Sequence, residues 1–231
     1  MIFRRRGDRS TDLGLDGGPE AAETGADEDG GSTSRTAPTD EHRRAVGPWD
    51  AAERPSTTDD SGVVDLGGLL INGRPGLELR LQTDQGTGVV VAALLVSPDG
   101  AVELRPFAAG RSAGIWDAVR RDMAGEAARH GGTATEGEGE YGTELRVVVP
   151  LRAQDGSSVT QTSRVVGIEG PRWLLRATYL GKPAISATGD DVLTQALRDV
   201  VVVRGDAAMA PRDPLPLRLP PNAQVVAHDS D

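Results

Sequence analysis

The sequence predicts an α+β fold: antiparallel sheet, in one or more layers, of about seven to eight strands, with two helices packed on one face and a disordered N-terminal tail ahead of them. Three observations predict it. Apolar and polar residues alternate along several short segments, the pattern of a half-buried strand. Tight-turn sequences separate those segments, as at Ser97-Pro98-Asp99-Gly100 and Asp155-Gly156. A helical period appears only twice.

The tail comes first. Residues 1–62 contain seven large apolar residues, Met1, Ile2, Phe3, Leu13, Leu15, Val46 and Trp49. That is too few to offset the ~1–2 kcal/mol of backbone entropy that ordering costs per residue. The same stretch holds 8 Arg against 14 Asp and Glu, a net charge of −6 out of −10 for the chain. Residues 1–62 are therefore read as a disordered acidic tail, 63–220 as one domain and 221–231 as a frayed end. One island interrupts the tail, Gly47-Pro48-Trp49-Asp50, and Trp49 is its candidate docking residue.

Order is expected from Val63. Val63 to Ile71 is β-like, weakened in the middle by Gly67-Gly68. Leu77 to Gln82 alternates strictly, and Gly88 to Val96 is apolar on both faces, as a central strand is. After the Pro98-Asp99-Gly100 turn, Ala101 to Phe107 completes a hairpin. Ile115, Val119, Met123 and Ala127 then mark a helix over 113–130, with Trp116 as a core anchor, Ser112 as its cap and Gly131-Gly132 as its stop. Glu136, Glu138, Glu140 and Glu144, spaced by glycines, read as an acidic loop. Glu144 to Leu151, Thr160 to Ile168 and Trp173 to Leu180 read as three more strands, the last two joined by Glu169-Gly170-Pro171-Arg172. Leu193, Ala196, Leu197 and Val200 give a second helix, with Asp190 and Asp191 at the positive end of its dipole. Val200 to Val203 reads as a short closing strand.

The last part of the domain is a proline-rich strap. Five prolines between Pro211 and Pro221 exclude a helix, while Leu215, Leu217 and Leu219 are too apolar for an idle end. Extended geometry places the three leucines on one side, packed along the domain.

Composition narrows function by exclusion. The chain has no cysteine, which removes disulfides, thiolate metal sites and thiol catalysis. Its acidic balance repels phosphate backbones, so no nucleic acid is expected as a partner. No apolar run approaches the ~20 residues of a membrane-crossing helix. The basic start, Met1-Ile2-Phe3-Arg4-Arg5-Arg6, lacks the apolar stretch a signal peptide needs, so a cytoplasmic location is expected. The three histidines, His42, His130 and His228, show no metal-ligand spacing. There is no nucleophile elbow and no phosphate loop, and Pro183 removes a donor such a loop would use. No catalytic residue, cofactor-binding residue, metal ligand or cofactor is expected.

Several runs resemble an uncharacterised actinobacterial family known only as a domain of unknown function. They are Gly47-Pro48-Trp49-Asp50, Val64-Asp65-Leu66-Gly67, Gly170-Pro171-Arg172-Trp173 with Leu175-Arg176, Val201 to Asp206, and Met209 to Pro220. The resemblance implies a cytosolic protein of no established activity and assigns no residue a role.

Two readings of function remain. The leading one is a non-enzymatic binding or scaffold domain that recruits a protein partner through its sheet or tail. The alternative is a small-molecule or nucleotide-associated protein that binds an anion through Arg172 and Arg176, four residues apart and so on one face of a strand. The same two arginines are the candidate partner contact.

Overall fold

The computed structural model describes residues 46–53, 62–152, 156–186 and 188–220, all within one compact unit, Ala37–Asp231. The tail expected over most of 1–62, the Asp155 turn residue and the frayed end at 221–231 lie outside the described residues. Strands β1 (Trp49–Asp50), β2 (Val63–Asp65) and β3 (Leu69–Asn72) lead into β4 (Glu78–Thr83), β5 (Val90–Ser97) and β6 (Gly100–Ala108). Helix α1 (Ile115–Arg129) follows, then β7 (Thr133–Gly139), β8 (Gly142–Arg152), β9 (Ser158–Gly170) and β10 (Trp173–Gly181). The chain ends its regular structure with the helical turn α2 (Lys182–Ile185), helix α3 (Val192–Arg198) and β11 (Val201–Val202). Among the described residues, no helix is long and apolar enough to cross a membrane.

The strands form two sheets. The larger is antiparallel throughout, in the order β4-β5-β6-β10-β9-β8-β7. The smaller runs β1-β11-β3-β2, with β1 and β11 parallel and the other pairs antiparallel. The α+β class and the antiparallel sheets are as the sequence predicts. Among the described residues their strands total eleven, because β1 lies ahead of the expected boundary, the Val63 to Ile71 segment divides into β2 and β3, and β7 reads as a loop. Pairing also begins at Trp49, ahead of the residue-63 boundary read from composition: Trp49 N–H donates to Val200 O at 2.9 Å.

Side-chain alternation assigns the two faces of the large sheet. Trp173, Leu175, Ala177 and Tyr179 of β10 point into the main core with Leu66, between β2 and β3, with Leu69 and Ile71 of β3, and with Leu193 and Leu197 of α3. Leu174 points the other way and joins Leu145, Val147 and Val165 beneath Trp116 and Ala127 of α1. The two helices therefore sit on opposite faces of the large sheet, not on one face. A helical period shows which stripe is apolar but not which side of a sheet the stripe meets.

Two local expectations change, and a third holds. The glutamate-rich stretch is the β7–β8 hairpin, in which Glu136 opposes Leu145 and Gly137 opposes Glu144. Charge and glycine mask a strand that lies at the sheet edge. Helix α1 begins at Ile115 behind Gly114, which has φ 100°, and Ser112 does not cap it. Instead the Glu169 carboxylate accepts from Gly114 N–H at 2.8 Å and Trp116 N–H at 2.7 Å. Helix α3 is capped by Asp191, whose carboxylate accepts from Thr194 N–H at 2.9 Å.

The strap occupies a gap that the large sheet leaves. β5 and β6 pair from Ser97↔Gly100 to Ala93↔Leu104 and then part. Into the opening the strap brings Pro214 opposite Phe107, and Leu217 opposite both Val90 and Gly67. Leu215 N–H donates to Pro106 O at 2.9 Å, and Gly68 and Ala108 N–H donate to Pro216 and Asp213 O at 3.1 and 2.8 Å. Prolines 214 and 216 lack a donor, yet their neighbours and carbonyls complete these bridges. Leu215 and Leu217 are buried, whereas Leu219 is 44% exposed, so two of the three expected leucines fill the groove.

Truncation after Asp206 will lower the melting temperature by several degrees, since two buried leucines and five backbone bonds to the rest of the domain go with it. Truncation after Pro221 will leave it unchanged. Equal melting of both with the full chain, by differential scanning calorimetry, would sink the structural role of the strap. A second test concerns the α1 contact. A Cβ at Gly167 would lie 2.1 Å from the Trp116 ring. Gly167→Ala is expected to cost about 1–3 kcal/mol in urea unfolding, by overpacking.

Candidate functional site

One helix cannot cover a seven-stranded face. α1 meets β7, β8 and β9 and reaches Leu174 of β10 and Phe107 of β6, and among the described residues the same face of β4, β5 and the rest of β6 is left without a helix. The register aligns Arg80, Leu94, Glu103 and Thr178 across that face, and on the same face it pairs Gln82 with Ala92 and Arg105 with Arg176. Arg105 ties the two rows together: its Nε donates to Glu103 at 2.7 Å and its Nη2 to Gln82 at 3.1 Å.

Where α1 ends and the open face begins there is a cavity of about 310 Å³. Phe107 and Leu174 form its floor, Val119 and Met123 of α1 its wall, and Arg176 and Arg212 its polar lining, with Asp122, Glu126 and Arg129 at the rim. Two of the arginines are neutralised locally. Arg212 Nη1 lies 2.7 Å from Asp122, and Arg129 pairs with Glu126. Arg176 is different. Its nearest carboxylate, Glu103, is 3.6 Å away, beyond hydrogen-bond reach, and already accepts from Arg105. Its Nε is buried with no partner, and its guanidinium sits 5.5 Å from the Phe107 ring centroid. Burial, reinforced by the neighbouring Arg105 charge and partly offset by Glu103, holds its pKa below the ordinary arginine value.

Arg172 lies elsewhere. It has φ 62° in the turn before β10 and lines a separate cavity of about 190 Å³ with Ser112, Glu169 and Trp173. Its carbonyl accepts from Ala109 N–H at 2.8 Å and Arg204 Nε at 3.1 Å. The structure thus does not bring Arg172 and Arg176 together. The strand spacing that placed them on one face fails because Arg172 belongs to the turn, where the two-residue period does not run. Phe107, Met123 and Arg212 join Arg176 instead, and their meeting depends on the strap and helix packing, which no local pattern encodes.

Trp49 lies in β1, half-buried, with its backbone on β11. Beside it Asp50 accepts from Trp173 Nε1 at 2.7 Å, which ties β1 to the start of β10. Among the described residues no cluster of three or more metal-binding side chains occurs. His130 contacts Glu126 at 2.8 Å on the helix end.

The expected outcome of Glu169→Ala is a loss of about 1–2 kcal/mol in denaturant unfolding, because two α1 N–H groups lose their acceptor. Unchanged stability, with helix content by circular dichroism also unchanged, would contradict the capping role.

Comparison with family models matches residues 47–225 to a family described as a protein of unknown function, DUF3710. No curated protein matches the chain.

Proposed function

We propose, for a chain that belongs to the DUF3710 family of proteins of unknown function, that the domain is a cytoplasmic, non-enzymatic binding or scaffold module that recruits a protein partner. The observation that carries this reading is the half-covered sheet. Helix α1 shields β7 to β9, while β4 to β6 present Arg80, Gln82, Leu94, Val96, Glu103 and Arg105 together. Partially exposed leucine and valine framed by paired charges is the composition of a contact surface with a polar rim. Arg105 and Glu103 hold each other in place, so the surface is ordered before a partner arrives and little side-chain entropy is lost on contact.

Tagged full-length protein should retain a partner from native lysate that the Arg80→Glu, Leu94→Glu double variant releases by at least about tenfold, a difference of about 1.4 kcal/mol. Lys182→Glu, on the exposed turn after β10, should retain it. Equal capture by the double variant, folded by thermal melting, would remove this face as the contact. With the unmodified protein, hydrogen exchange in the presence of the partner should place new protection on β4 and β5.

A further inference from the structure

We infer that the cavity between α1 and the large sheet is a small-molecule site for a carboxylate with an apolar body, the head held by Arg176 and the body lying on Phe107, Leu174, Val119 and Met123. This goes beyond partner recruitment by the open face and does not rest on it.

The charges around the cavity select the head group. Asp122 and Glu126 could repel an anion, but each has its own cation, Arg212 and Arg129 respectively. Arg176 shares Glu103 with Arg105, so two guanidiniums stand against one carboxylate, and the closer of them is Arg105 at 2.7 Å. One positive charge is therefore left over at the junction of cavity and sheet. It is largely withdrawn from water, with side-chain exposure of 21%, which costs solvation that a bound anion would restore. A planar guanidinium matches a carboxylate in particular, through two parallel N–H···O bonds. A cationic or neutral head would leave that charge as it is.

The lining selects the body. Floor and wall are apolar, and Met123 is an adaptable side chain that conforms to a chain or ring. At about 310 Å³ the cavity sits at the small end of ligand pockets, so the fit is to a short apolar acid and not to a nucleotide.

The test uses the full chain labelled with ¹³C at the methionine methyl groups, because Met123 lines the cavity and Met209 packs in the other core. Octanoate, octanol and octylamine are titrated separately. Octanoate should shift the Met123 methyl saturably and leave Met209 unmoved, at a concentration at least about tenfold below that needed for octanol. Octylamine should bind no better than octanol. Arg176→Gln should abolish the preference for octanoate over octanol, and Val119→Phe, which fills the cavity without touching a charge, should abolish the Met123 response to both. An unmoved Met123, equal response to the acid and the alcohol, or a preference that survives Arg176→Gln would each overturn the site. If Arg176→Gln does not fold, a Met123 response to octanoate that persists in Val119→Phe overturns it just as well. None of these results bears on partner capture by the Arg80 and Leu94 face, so the two readings fail separately.

Discussion

The parting of β5 from β6, and the strap that fills it, is the constraint on which the rest of the architecture depends. Without the strap, the end of β6 and the start of β5 would present unpaired backbone groups in the middle of a sheet, at a cost of about 1–3 kcal/mol for each buried group left unmet. The strap supplies acceptors and donors there while sending Leu215 and Leu217 into the core between the two sheets. Gly67 and Gly68 make this possible, since a Cβ at Gly68 would lie 3.0 Å from Pro216 O. The small sheet is thus fastened to the large one through a segment that belongs to neither.

From that arrangement the uneven coverage of the large sheet follows. One face is filled by the small sheet, α3 and the strap. Among the described residues, α1 is the helix that the other receives. A helix is about 10–12 Å across with its side chains, and strands are about 4.8 Å apart, so one helix screens two or three of seven strands. The remaining face must be made wettable, and it is: Arg80 with Glu78, and Arg105 with Glu103 and Gln82, replace the apolar residues that a covering helix would need. Arg176 sits at the boundary between the dry and the wet halves. There it is neither fully solvated nor fully paired, and this intermediate state sets its chemistry.

Much of the fold was legible because periodicity is a local property. The alternation in Leu77 to Gln82, the apolar run to Val96 and the stripe from Ile115 to Ala127 each state their own geometry. The strap was legible from the clash between five prolines and three leucines. What could not be read was decided by partners far along the chain. Glu169 caps a helix more than fifty residues before it, so Ser112 looked like the cap. The β7–β8 hairpin buries little on one side and carries glutamates, so its strands resembled a loop. Arg176 was singled out by its four-residue spacing from Arg172, but its companions Phe107, Met123 and Arg212 come from three other elements.

The small sheet also has a bearing on how the protein is made. Its first strand, β1, lies beside its last, β11, and the Trp49 amide waits for the Val200 carbonyl. A ribosome delivers residue 49 long before residue 200, and the strap later still. Domains often condense from the N-terminus as they emerge, but here the earliest segment has no strand to join until nearly all of the domain has been synthesised. The β4–β5–β6 meander can form early, because its contacts are local, whereas closure of the small sheet, like docking of the strap, spans most of the domain and carries a high loop-closure cost. During that interval Leu66, Leu69 and Ile71 lack the partners that β10, α3 and the strap bring to the same core, which makes the nascent chain, rather than the finished protein, the form most exposed to aggregation.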